Sequence, residues 1–159
     1  MNLLVADFRA AQHRSVSNTL YNGLYRCGFG LRYIDSGEYR IYAGANANAV
    51  DCSVQNKNYD PVSGDVDMET KKLYGTPDIN FFSYGFFPIA FNDIFFEPPD
   101  PKTYINNSAA LNDPPQQIIL SAEGTDCTPG GPQGNKSMCR SICVYTTGRI
   151  DTAAGTNCP

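Results

Sequence analysis

The stretch Asn2-Leu3-Leu4-Val5-Ala6-Asp7-Phe8-Arg9-Ala10-Ala11-Gln12-His13-Arg14-Ser15-Val16 decides how the rest of the chain is read. It contains neither Gly nor Pro. Leu4, Phe8 and Ala11 recur at helical spacing with Val5 beside them, while Asp7, Arg9 and Arg14 fall elsewhere around the wheel. This pattern predicts an amphipathic helix from about residue 3 to residue 20, closing at the Asn22-Gly23 signal. No comparable pattern recurs downstream. The chain therefore divides into an N-terminal helix, 1–22, and a β-rich unit, 23–159, with no repeat and no further boundary.

The remainder reads as short extended runs set off by turn residues. Phe29, Leu31 and Tyr33 alternate, as do Tyr39 and Ile41, and Asp35-Ser36-Gly37-Glu38 between them predicts a hairpin. Residues 45–64 are polar and irregular, and a weaker strand follows at 65–74. The aromatic segment Ile79 to Phe96 holds two strand candidates around Gly85 and Pro88. Pro98-Pro99-Asp100-Pro101 then forces a stiff connection, since proline offers no N–H to a ladder. Gln117-Ile118-Ile119-Leu120 is a further strand and 124–135 a Gly/Pro-rich loop. Ile142-Cys143-Val144-Tyr145 leads through Thr146-Thr147-Gly148 to Arg149-Ile150 as a second hairpin. The expected class is α+β: one helix packed on a meandering antiparallel sheet of several short strands.

Composition agrees with a strand-and-turn protein of one domain. The 159 residues include ten Tyr, nine Phe and no Trp, with 14 Gly and 11 Pro, types that suit pleated surfaces and the turns between them. Only 18% are charged, the net charge is −4 and no Lys/Arg run occurs, which argues against a nucleic-acid partner. No stretch reaches the roughly 18 apolar residues of a membrane span, and the chain does not open with a signal-peptide pattern.

Six cysteines, at 27, 52, 127, 139, 143 and 158, point to disulfides in an oxidising compartment. Free buried thiols fit less well. So does zinc held by Cys127, Cys139, Cys143 and Cys158, because the close-paired ligand spacing is missing. Cys139 and Cys143 lie four apart in an expected strand, a rise of roughly 13 Å, whereas a disulfide tolerates about 7 Å between Cα atoms. Each therefore needs a distant partner. Bridging Cys27 to Cys52 would tie the 45–64 loop to the end of the helix. Cys127 with Cys139 would close the Gly/Pro loop, leaving Cys143 to clamp the tail through Cys158. Six cysteines permit fifteen pairings, of which this is the preferred one, each bridge contributing roughly 3 kcal/mol.

Catalytic signals are sparse. The single His13 lies on the polar side of the helix, and no Ser or Cys sits in a nucleophile elbow. Gly28-Phe29-Gly30 lacks the third glycine and the following helix of a phosphate cradle. Asp60, Asp65, Asp67 and Glu69 could gather around calcium, although their order matches no EF-hand and a solvated polar edge explains them equally. No cofactor is otherwise expected. Phe81, Phe82, Tyr84, Phe86, Phe87 and Tyr104 exceed what a small core needs, leaving a minority for a subunit contact or a ligand surface.

In their order along the chain, several phrases resemble those of type IV pilins and the pseudopilins of type II secretion, particularly the minor, H-type and FimT-like members. Asp7-Phe8-Arg9-Ala10-Ala11-Gln12 resembles the segment leaving the membrane-embedded half of a pilin helix. Arg26-Cys27-Gly28-Phe29-Gly30-Leu31-Arg32-Tyr33 and Tyr39-Arg40-Ile41-Tyr42-Ala43 are similar to two of the family's strands. Ile94-Phe95-Phe96-Glu97-Pro98-Pro99-Asp100-Pro101 and the hairpin Ile142 to Ile150 are similar to two later segments. The resemblance implies a pilin-like α+β fold and a filament subunit that acts by assembly or priming and not by catalysis. Its partners would be other pilin or pseudopilin subunits and the inner membrane. Family members open with a short basic leader and then an apolar run of about twenty residues, a pattern this sequence lacks; the missing apolar half-helix would hold the subunit in that membrane, with Leu3-Leu4-Val5 as its tail and Met1 an added start residue. Leu4, Val5, Phe8 and Ala11 would continue that segment's buried stripe, packing partly on the sheet and partly on other helices. The head would face the periplasm and then the cell exterior, with the loops 45–64 and 124–135 carrying specificity. The rival reading is a secreted or surface binding module, disulfide-rich and β, for a carbohydrate or protein ligand. A small secreted hydrolase is the third, without a dependable acid/base pair.

Overall fold

Helix α1 spans Asn2–Val16 and not 3–20. Asn18 ends it in the left-handed conformation at φ 49°. Its N–H reaches Ser15 O at 3.2 Å, and the N–H of Thr19 reaches back to Arg14 O at 3.1 Å. This is the paired closure of a Schellman cap, with Asn in the place glycine usually fills. The expected stop at Asn22-Gly23 is a second turn, also at positive φ, that sends the chain into the first strand. The computed structural model describes residues 2–75, 78–83, 89–99, 102–128 and 138–159.

Among the described residues nine strands follow: β1 Phe29–Asp35, β2 Glu38–Ala43, β3 Val66–Lys72, β4 Ile79–Phe82, β5 Ile94–Glu97, β6 Lys102–Ile105, β7 Gln116–Ala122, β8 Arg140–Val144 and β9 Ile150–Ala154. They form two antiparallel sheets, ordered β3-β2-β1-β5-β6 and β4-β7-β8-β9. This corrects the expected class. The described chain is mostly β, with one 15-residue helix, and neither the single meandering sheet nor the pilin-like α+β fold with a long helix describes it. The meander fails because β5 pairs with β1, Leu31 facing Ile94 and Phe29 facing Phe96, while β4 joins the other sheet through Phe81 opposite Leu120.

Both hairpins form as expected. Leu31 lies opposite Ile41 and Tyr33 opposite Tyr39 in the first, and Ile142 opposite Thr152 in the second. The Ile79 to Phe96 segment contributes its two ends, β4 and β5, to different sheets; Gly85 and Pro88 lie outside the described residues. Strand β6, not expected from the sequence, is a four-residue edge strand against β5.

One core joins all three layers. Phe29, Leu31, Ile41, Ile94 and Phe96 of the first sheet meet Ile118, Leu120, Ile142 and Val144 of the second, with Leu4, Val5, Phe8 and Ala11 of α1 among them. Burying one apolar face of each element against the others is what makes the layered arrangement stable. Ser15, itself 1% exposed, fastens the helix end to the first sheet. Its Oγ donates to Phe96 O at 2.8 Å and accepts from Phe29 N at 3.2 Å. Asp7 does the same one face over, accepting from Tyr39 Oη at 2.6 Å and pairing with Lys71 at 3.1 Å. Burial first, and the Asp7 carboxylate second, raise the Tyr39 hydroxyl well above its ordinary pKa.

Each sheet also covers its outer face. Ile119 on the back of β7 packs with Phe82 and the Cys127–Cys139 bridge, and the first sheet is covered by 45–64.

Candidate functional site

All six cysteines are paired: Cys27–Cys52, Cys127–Cys139 and Cys143–Cys158, with Cα separations of 5.2, 5.9 and 5.7 Å. These are the preferred partners from the spacing argument. Three disulfides suit an extracellular or periplasmic setting. Among the described residues no helix is long and apolar enough to cross a membrane.

The four helix residues expected to pack partly on the sheet and partly on other helices are turned inward. Leu4, Val5, Phe8 and Ala11 are at most 8% exposed, and this chain's own sheets bury them. The opposite side of α1 carries Leu3, Ala6, Arg9, Ala10, His13 and Val16, all exposed, with Leu3 at 51% and Val16 at 49%. Ala6 and Ala10 line a groove of about 580 Å³ between the helix and Thr152 of β9, an edge strand. Gln12 anchors this side of the helix by donating to Gly148 O at 2.9 Å.

The 45–64 loop is fixed at several points. Cys52 is bridged to Cys27 at the start of the first sheet. Lys57, 3% exposed, projects its ammonium under the loop, where it meets Glu97 Oε1 at 2.5 Å and donates to the carbonyl of Cys52. The Lys57 ammonium also lies 5.2 Å from the Tyr104 ring centre, and Tyr104 Oη donates to the other Glu97 oxygen at 2.8 Å. A buried cation thus has a carboxylate, a carbonyl and an aromatic face around it, the condition under which burying charge is tolerable. The Tyr59 N–H donates to Asp93 Oδ2 at 2.7 Å, and that of Asp60 to Asp65 Oδ2 at 2.8 Å. The Arg32 guanidinium stacks on the Tyr59 ring at 4.2 Å. Burial raises the carboxyls of both Asp93 and Asp65, the latter to about 6.

Beneath the loop the Tyr42 and Phe95 rings stack with centres 5.9 Å apart, directly on Gly28 and Gly30. A Cβ on Gly30 would stand 2.6 Å from the Tyr42 ring and 2.7 Å from Ile94 O. The glycines that fail as a phosphate cradle therefore serve as clearance for two aromatic rings.

At one end of the first sheet an open cleft of about 510 Å³ lies between the end of β1 and the segment 89–93. Tyr33, Asn58, Ile89, Asn92, Asp93 and Asn106 are among its lining residues. Asn58 Nδ2 donates to Asn106 Oδ1 at 3.1 Å, and the Asn106 N–H donates to Asp93 O at 3.0 Å. Asn58 Oδ1 is shielded from solvent and has no hydrogen-bond partner. The sequence reading missed this cleft, because its residues come from positions 33 to 106 and share no motif. The one local signal was the Asn106-Asn107 pair, and both residues take positive φ.

The acidic residues considered for calcium have separate employments. Asp60 accepts from Val62 N and Ser63 Oγ across a 3-10 turn, and Asp65 holds Asp60 N. Asp67 pairs with Arg40 at 2.7 Å, and Glu69 faces Lys71 at 3.6 Å. Among the described residues no group of three His, Cys, Asp or Glu converges. Of the surplus aromatics, Phe81 is buried edge-on to Tyr33 and Tyr39, Phe82 covers a disulfide, and Tyr104 holds Glu97. Tyr84, Phe86 and Phe87 lie outside the described residues, as does part of the 124–135 loop. Comparison with known protein families, with curated proteins and with solved structures finds no match for this chain.

Proposed function

We propose that the chain is a structural subunit, a minor pilin or pseudopilin, of a type IV pilus or type II secretion pseudopilus, working by assembly and not by catalysis. One observation carries the proposal. Helix α1 is bonded through one stripe into its own head, and it leaves a second face of Leu3, Ala6, Arg9, Ala10, His13 and Val16 turned outward. Small residues let a neighbouring helix approach closely, and the groove beside Ala6 and Ala10 leaves room for its side chains. The proposal rests on this presented helix, together with the sequence resemblance, and on no likeness of fold. The setting it implies is the inner membrane and periplasm before assembly and the cell surface afterwards, in accord with three disulfides.

The test places a photo-crosslinking amino acid at Ala6 or Ala10 in the full native chain, expressed in its source cells. A third site, Val62, 95% exposed on the loop, serves as the surface control. The expected result is crosslinking from the helix positions to another copy or to a filament subunit identified by mass spectrometry, with little from Val62. The proposal fails if Ala6 and Ala10 give only monomer, or if the chain is recovered as a free secreted protein with no surface filament.

A further inference from the structure

The cleft at the end of the first sheet is built more carefully than a gap between loops requires. Its volume of about 510 Å³ falls within the range of small-molecule sites, roughly 300–1,000 Å³. Its walls are held by the fold. The Asn106 backbone, at φ 49°, is tied to Asp93 O; the neighbouring Asn107 accepts from Lys57 N at 2.8 Å; and Asp93 is held by Tyr59 N. The Asn58 amide is oriented by its bond to Asn106, and this leaves Oδ1 without a donor. That oxygen is closed off from solvent, so Asn58 buttresses the wall, and the amides that face the cleft are those of Asn92 and Asn106, both exposed.

The chemistry of the lining limits what can enter. It contains no Lys, Arg or His, so phosphate, sulfate and other anions would find no counter-charge. Its two carboxylates are partly committed, Asp35 to the Gly37 N–H and Asp93 to Tyr59 N, and the positive charge of Arg32 acts on Asp93. That weakens the pull on a cation. What remains are two planar amides beside Tyr33 and the exposed side chain of Ile89 (57% exposed): Asn92 gives one N–H to Gln116 Oε1 at 3.0 Å and Asn106 Oδ1 accepts one bond from Asn58 at 3.1 Å, so each keeps a further N–H and a further lone pair. Adjacent hydroxyls on a ring with an apolar face complement that set. A second depression of about 400 Å³ shares Ile89 and Asn92 and adds the amides of Gln116 and Gln117, so the surface continues past the length of a single ring.

We propose that this cleft binds a neutral carbohydrate of more than one sugar unit, with the side chains of Asn92 and Asn106 as the hydrogen-bonding groups, Asn58 holding Asn106 in place, and Tyr33 and Ile89 as the apolar contact. The inference stands independently of the filament reading, since a pilus subunit and a free surface module could both carry such a site.

The test is an NMR titration of the intact, oxidised protein. The neutral probes are the trisaccharides of glucose, mannose, galactose and N-acetylglucosamine. Sialyllactose and a heparin tetrasaccharide serve as anionic probes and spermidine as the cationic one. Probes are raised to about 10 mM, which saturates even a 1 mM site. At least one neutral probe is expected to give saturable shifts at the side-chain amides of Asn92 and Asn106. Asn106→Gly, which keeps the positive φ, should weaken that binding about tenfold, the effect of losing one well-placed hydrogen bond. Asn92 is exposed, so Asn92→Ala should keep the fold and also weaken binding, which guards against an Asn106 variant that merely unfolds. The proposal is overturned if every neutral probe is silent, if their shifts map elsewhere, if the anionic or cationic probes alone bind in the cleft, or if Asn92→Ala binds as wild type does.

Discussion

Replacing Lys57 with Met keeps most of the aliphatic stem and removes the ammonium, so it isolates what the buried charge contributes. In the wild type, the Lys57 and Glu97 side chains are 3% and 14% exposed and meet at 2.5 Å. The same ammonium holds the Cys52 carbonyl and lies against the Tyr104 and Phe95 rings. After the change Glu97 retains the Tyr104 hydroxyl and loses its cation, leaving a largely buried carboxylate unpaired. Breaking such a pair from one side costs about 3–5 kcal/mol. For a domain of this size each kcal/mol moves Tm by about 2–4 °C, so a fall of about 6–20 °C is expected. Lys57→Met/Glu97→Leu removes both charges and should recover most of that loss. Urea unfolding at pH 7 with the disulfides intact measures the wild type, Lys57→Met, Glu97→Leu and the double variant. A loss below about 1 kcal/mol for Lys57→Met, against the 3–5 expected, would refute the reasoning, as would a double variant no better than the sum of the two single ones.

Two further outcomes follow from the same region. Burial holds Asp65 at about 6, above the roughly 3.9 of an unfolded Asp. Its contribution to stability is therefore full below about pH 4 and lost as pH rises through 6. Asp65→Asn still accepts from Asp60 N and should flatten that slope by about 1–2 kcal/mol between pH 4 and 8, the two-unit shift discounted for partial exposure. Parallel slopes in thermal melts of both proteins would contradict this. Gly30→Ala drives a methyl group into the Tyr42 ring and Ile94 O and should destabilise by about 2–3 kcal/mol, visible in the same melts; an unchanged Tm would show that the rings can move aside.

Where a signal was local, the sequence carried it. The apolar spacing of Leu4, Phe8 and Ala11 marked the helix and its buried face, and alternation over Phe29 to Ile41 and the turn at Thr146-Thr147-Gly148 marked the hairpins. Strand rise separated Cys139 from Cys143, and the preferred pairing among those still open is the one that forms. The end of the helix was written at Asn18, but a lone Asn competes poorly with an Asn-Gly pair four residues later. Strand β6 was missed because four residues between turns carry too little alternation to register, and β5 supplies the partner that makes them a strand.

Pairing between strands distant in sequence left no such trace. That β1 should take β5 and β4 should take β7 depends on which apolar faces can be covered together. Ile119, Tyr42 and Phe95 are as apolar as the inward residues and gave no hint that a disulfide and the 45–64 loop would cover them. Lys57 reads as a surface lysine until Glu97, 40 residues away, is brought to it, and the cleft exists only where Tyr33, Asn58, Asp93 and Asn106 converge. Local dihedral preference and side-chain periodicity are properties of a few successive residues, so the sequence by itself determined the helix, the two hairpins and the oxidised state of the cysteines. Burial is shared among distant segments, so only the tertiary structure decided the two sheets, the inward turn of Leu4, Val5, Phe8 and Ala11, and the surfaces left to bind.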